Sequence, residues 1–89
     1  MVNIETKSKK STLYELQVRS IISSLLYAED VQVAANGFEH DIKRLPRSST
    51  AAPADCYKLE WAEDYKSFTV WHRKSDAENN RVVAVVSNK

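Results

Sequence analysis

The chain has 89 residues, with 13 Lys and Arg against 12 Asp and Glu for a formal net charge of +1; 43% of its residues are hydrophobic and 28% are charged. That length gives room for one domain burying somewhat over ~60% of the surface of its unfolded chain, and the composition excludes wholesale disorder. The near-cancelling charges leave no global field to draw the chain onto nucleic acid or a membrane, so either partner would require a local patch.

A single cysteine, Cys56, closes no internal disulfide and builds no zinc site alone, and a reducing cytoplasm is the expected compartment. The longest apolar runs, Ile21-Ile22, Leu25-Leu26-Tyr27 and Val82 to Val86, fall far short of the ~20 residues that span a bilayer. No membrane partner is expected. The opening segment Met1 to Lys7 lacks the apolar core and small-residue cleavage site of a secretory signal.

Residues 1–10 have no sustained period and end in Lys7-Ser8-Lys9-Lys10, which reads as a mobile basic arm; pairing of Val2 and Ile4 at a sheet edge is the alternative. Residues 11–89 are then a single domain. Thr12 to Glu15 fits a capping box, and Tyr14, Val18, Ile21, Ile22 and Leu25 recur at helical spacing, predicting a helix from about Thr12 to about Tyr27. Its other side carries Leu16, Ser20, Ser23, Ser24 and Tyr27, small enough in part to admit a partner or a second copy.

Asn36-Gly37 contains the only glycine of the chain, and the flanking residues alternate: Val31, Val33 and Ala35 before it, Phe38, His40 and Ile42 after it. Asn-Gly supplies the positive φ angles of a type I′ turn, so this stretch predicts a β-hairpin with Ala35 facing Phe38, Val33 facing His40 and Val31 facing Ile42. Pro46 should end its second strand. The 46–55 segment, bounded by Pro46 and Pro53, shows neither period and reads as an exposed, extended loop.

Alternation returns at Cys56 to Ala62, with Tyr57, Leu59 and Trp61 on one face, and at Lys66 to Arg73, with Phe68, Val70 and His72 on one face. A tight turn near Glu63-Asp64 would pair Leu59 with Phe68 and Tyr57 with Val70, a longer turn through Tyr65 being the alternative. The polar stretch from Ser75 to Asn80 reads as a turn, and Val82 to Val86 reads as a central strand or one covered on both faces. The expected fold is α+β: one N-terminal helix on a mostly antiparallel sheet of about five strands, ordered helix, hairpin, loop and three-stranded meander. A helix of that length leaves apolar sheet surface uncovered unless the sheet curls or a partner covers it.

No glycine-rich phosphate loop, helical His pair with Glu, or acidic calcium loop is present, so no cofactor and no metal site is expected. His40 and His72 fall on the apolar registers of their hairpins, and an acid-base pair there would make a metal-free ribonuclease, the third functional reading. Cys56 has no identifiable base beside it. Aromatic and basic residues interleave from Tyr57 to Lys74, with Tyr65, Trp71 and Arg73 on the expected outer surface and Lys58 and Lys74 beside them.

Trp, Tyr and Arg are over-represented at interface hot spots. The leading expectation is therefore a small non-enzymatic binding protein, of adaptor or inhibitor type, acting through a sheet face or edge, with Tyr65, Trp71, Arg73, Lys58 and Lys74 as binding residues. A protein is the first expected partner, and homodimerisation through an edge strand would use the same surfaces. The alternative is a single-stranded nucleic-acid binder, with bases stacked on the same rings and Lys7, Lys9, Lys10, Lys58, Arg73 and Lys74 on phosphates.

Overall fold

A computed structural model of the chain describes residues 1–7, 13–47, 52–73 and 80–89. The fold is α+β, with two main helices on one face of a four-stranded antiparallel sheet. In chain order the elements are β1 (Val2–Thr6), α1 (Leu13–Ser24), a 3₁₀ turn (Leu25–Tyr27), α2 (Val31–Arg44), the single-turn α3 (Pro53–Cys56), β2 (Tyr57–Trp61), β3 (Ser67–His72) and β4 (Arg81–Asn88). The strands lie in the order β1-β4-β3-β2, which puts the valine-rich β4 inside the sheet, as its continuous apolar run predicts, and leaves β1 and β2 as edges.

The predicted N-terminal helix forms as α1 and its 3₁₀ extension, with Val18, Ile22 and Leu25 buried from its apolar stripe. Glu15, expected to reach back in a capping box, is fully buried and held instead by Arg81 of β4, with Nη2 2.6 Å from Oε1 and Nη1 3.3 Å from Oε2. Thr12, the other half of that box, lies outside the described residues. Arg19, one helical turn on, stands 3.7 Å from the same carboxylate.

The Asn36-Gly37 hairpin is not formed. Residues Val31–Arg44 are helix, and Gly37 does not adopt positive φ. The buried residues are Val31, Ala34, Ala35, Phe38 and Ile42, spaced i, i+3, i+4, i+7 and i+11 on one helical stripe, whereas Val33 is 48% exposed. The start is fixed by Asp30, an extended N-cap whose side chain accepts from the Val33 amide at 2.9 Å, and by Asn88, whose Oδ1 accepts from the Val31 amide at 3.1 Å. Lys43 and Arg44 in the last turn complement the macrodipole, and Pro46, expected to end a strand, instead follows the end of this helix.

The sheet therefore has four strands and not five, and a second helix supplies the cover that one helix alone would lack. Within the segment read as an arm, Val2–Thr6 is the edge strand β1, antiparallel to β4 with Val2 opposite Asn88 and Ile4 opposite Val86. Val2 is fully buried. Residues 8–10, which carry the rest of that basic cluster, lie outside the described residues, as do 48–51 of the proposed loop and 75–79 of the polar turn. Pro53–Cys56 at the end of the loop is helical, and Cys56 packs against the core.

The β2–β3 hairpin forms with its predicted faces and a register displaced by two residues: Tyr57 pairs with His72, Leu59 with Val70 and Trp61 with Phe68. The longer turn is the one adopted. Ala62 donates to Ser67 O and Tyr65 donates to Ala62 O, both at 3.0 Å; the Lys66 amide donates to Asp64 Oδ1 at 3.0 Å; and Tyr65 takes φ 57°. A slip of two preserves the face of every side chain, so the core set is unchanged. The core joins Phe68, Val70, Ala84, Val86, Tyr57 and Val2 to the buried stripes of α1 and α2.

Candidate functional site

Strand parity sorts the sheet residues into two sets. Tyr57, Leu59 and Trp61 share the helix-covered face with Phe68 and Val70, while Lys58 and Glu60 stand opposite Trp71 and Thr69 on the other face. Thr69 is in turn opposite Val85, and Trp71 opposite Val82 across a bulge in the β3–β4 ladder. Among the described residues no helix packs on this second face.

Of the residues expected to bind, the structure brings together Lys58, Trp71 and Arg73. Lys58 and Trp71 are direct cross-strand partners, and Arg73 reaches Glu60 with Nη2 3.1 Å from Oε2. Lys58, Glu60 and Arg73 are exposed. Trp71 is only partly exposed, and its indole Nε1 is buried without a hydrogen-bond partner among the described residues. Tyr65, 70% exposed, sits apart at the β2–β3 turn, its ring 6.0 Å from that of Trp61 and so associated with the helix-facing set. Lys74 lies outside the described residues. Tyr65 and Trp71 thus do not line up as neighbouring stacking platforms.

The histidine pair is also separated. His40 is on α2, about 200° around the helix from buried Phe38, with its side chain 66% exposed and Nδ1 3.2 Å from Asp41 Oδ1. His72 stacks on buried Tyr57 with ring centroids 4.6 Å apart and an interplanar angle of 9°. The hairpin register that would have aligned them does not exist. No group of three or more His, Cys, Asp or Glu among the described residues is arranged to hold a metal ion, and no helix among them is long and apolar enough to cross a membrane.

Sequence reasoning missed the position of β2 at the rim of the sheet. The Arg73 amide donates to Cys56 O at 2.6 Å and the Ala62 amide to Ser67 O at 3.0 Å. In an antiparallel ladder these bonds alternate, so the amide and carbonyl groups of Lys58 and Glu60 turn toward β3, and those of Tyr57, Leu59 and Trp61 turn outward, the Tyr57 amide being taken up by the closing turn of α3. Beside this edge α2 and β2 flank an open cavity of about 250 Å³, with Phe38 and Ile42 on the helix side, Tyr57 and Leu59 on the strand side, and exposed Glu39, Lys43 and Lys58 at its rim.

The arrangement can accept an extended backbone along β2 while offering a partly apolar pocket for side chains next to it. A strand order would have been needed to foresee it, and alternation assigns faces without assigning neighbours. No family model matches the chain, and comparisons with curated proteins and with solved structures give no match.

Proposed function

We propose that this is a small non-enzymatic binding protein, of adaptor or inhibitor type, that works by protein–protein contact along the β2 edge of its sheet. The observation that carries the reading is the outward aim of the Leu59 and Trp61 amides and of the Tyr57, Leu59 and Trp61 carbonyls beside the partly apolar cavity under α2. Strand addition at such an edge draws affinity from main-chain hydrogen bonds and selectivity from the pockets that receive alternate side chains. Lys58, Glu60 and Arg73 on the adjoining face would set the charge preference. The lone Cys56, packed against the core, is compatible with work in a reducing cytoplasm.

The test is selection of peptides from a phage-displayed random library against the purified protein, followed by amide chemical-shift mapping of the bound peptides. The expected result is enrichment of extended peptides that shift the amides of residues 57–61 together with those of Phe38 and Ile42. Failure to enrich, or shifts confined to the helix side that bears Leu16 and Tyr27, would overturn the reading.

A further inference from the structure

Strand β2 presents an edge whose exposed charges are self-complementary. Its residues run Tyr57, Lys58, Leu59, Glu60 and Trp61, with a basic and an acidic side chain placed symmetrically about Leu59 on the same face. We infer that the partner of this edge is a second copy of the same chain, joined through an antiparallel β2–β2 pair whose two-fold axis passes at Leu59. The inference rests on the edge reading above and names its occupant.

The register follows from backbone chemistry and charge. Only the odd-numbered residues of β2 turn their amides and carbonyls outward, so hydrogen-bonded pairs across a two-fold must place odd residues opposite odd. Centring on Leu59 sets Tyr57 against Trp61 of the other copy, Leu59 against its own equivalent, and Lys58 against Glu60 of the other copy, twice by symmetry. Moving the axis by one residue either way sets Lys58 against Lys58 or Glu60 against Glu60. Opposite charges directly across a strand pair attract and like charges repel, so a single register is favoured. Glu60 has a competing partner in Arg73 of its own chain at 3.1 Å, yet its side chain remains 58% exposed and open to Lys58 of the second copy.

The other edge offers a weaker match. On β1 the residues sharing the corresponding face are Asn3 and Glu5, and Glu5 is already engaged by Lys7 at 2.6 Å. Pairing β1 with itself about Ile4 sets Asn3 against Glu5, and only the register about Thr6, at the very end of the strand, sets Glu5 against Lys7, a cation that it already holds within its own chain. Joining at β2 would instead continue the sheet through both copies with both helical layers on one side, bringing their α2–β2 cavities together at the axis.

The experiment is sedimentation equilibrium of the full chain and of two exposed-site variants, Lys58→Glu and Glu60→Lys, with circular dichroism confirming that each is folded. The wild type should associate to a dimer, each variant alone should associate about tenfold or more weakly, and an equimolar mixture of the two variants should recover a heterodimer, because each Glu then faces a Lys. Amide exchange at Leu59 and Trp61 should slow on dimerisation. A wild type that stays monomeric up to millimolar concentration would overturn the self-pairing, as would variants that associate like wild type or a mixture that does not recover. If the chain is monomeric while selected peptides still map to β2, the edge reading stands and only its occupant falls. If a dimer forms without protecting those amides, the self-pairing falls, and the edge reading falls with it only when selected peptides also fail to map to β2.

Discussion

The carboxylate of Glu15 in α1 is gripped through both oxygens by the Arg81 guanidinium at the start of β4, at 2.6 and 3.3 Å, with the carboxylate fully buried. This contact spans the two layers of the fold. Arg19 approaches the same carboxylate at 3.7 Å, so one acid sits between two cations.

Replacing Glu15 with alanine should therefore do more than delete one bond, because it removes the buried acid that both Arg19 and Arg81 approach. Breaking a buried ion pair from one side costs about 3–5 kcal/mol, a large share of the about 5–15 kcal/mol that holds a domain together. Urea unfolding should show the midpoint falling steeply for Glu15→Ala, and the loss should be smaller when Arg81 is replaced with methionine in the same chain.

Gly37 lies inside α2, and a Cβ there would meet only the Leu25 Cδ2 methyl at 3.4 Å. Gly37→Ala should stabilise the protein by about 0.5–1 kcal/mol, because alanine removes the entropic penalty of a glycine inside a helix. Thermal unfolding reads the sign directly. A hairpin turn at this position would give the opposite result.

Asp30 caps α2 through the Val33 amide at 2.9 Å. Asp30→Ala should cost about 0.5–2 kcal/mol in chemical denaturation, and Asp30→Asn, which keeps an acceptor in place, should recover most of it.

Leu59→Pro tests the β2 edge from the backbone side. The Leu59 amide turns away from β3, so proline removes an outward donor without breaking the β2–β3 ladder. Amide shifts of β3 should keep their strand pattern, while affinity for peptides selected against wild type drops about tenfold or more.

Much of the fold is legible in the sequence where one period excludes the other. The α1 stripe of Val18, Ile22 and Leu25 has no strand reading, and the alternation in β2 and β3 has no helical one. The segment 31–42 satisfies both. Val31, Ala35, Phe38 and Ile42 serve as alternating residues around an Asn-Gly turn and equally as one stripe of a helix, and the glycine tips the balance toward the turn. Ala34 and the Asp30 cap carried the deciding information: the first is apolar where a hairpin needs an outward residue, and the second begins a helix.

Faces in the second hairpin were legible, and with them the grouping of Lys58, Trp71 and Arg73. Register was not, because sliding by two residues leaves each side chain on its side and only the turn geometry decides. The turn chosen holds Tyr65 at φ 57°, an unusual conformation for a bulky side chain and one that alternation cannot announce. The candidate edge was hidden for a different reason: β4, last in sequence, is flanked by β1 and β3, which leaves β2 outside.

The pairing of Val2 with Asn88 has a consequence for how the chain assembles. The first strand has no sheet neighbour until the last one arrives, and the Val31 amide waits for the same Asn88 side chain. Closing so long a loop is entropically costly and slow compared with forming the helices or the β2–β3 hairpin. The two-layer core should thus be sealed in a late step that joins distant parts of the chain, with β1, β4 and the start of α2 locking into place together.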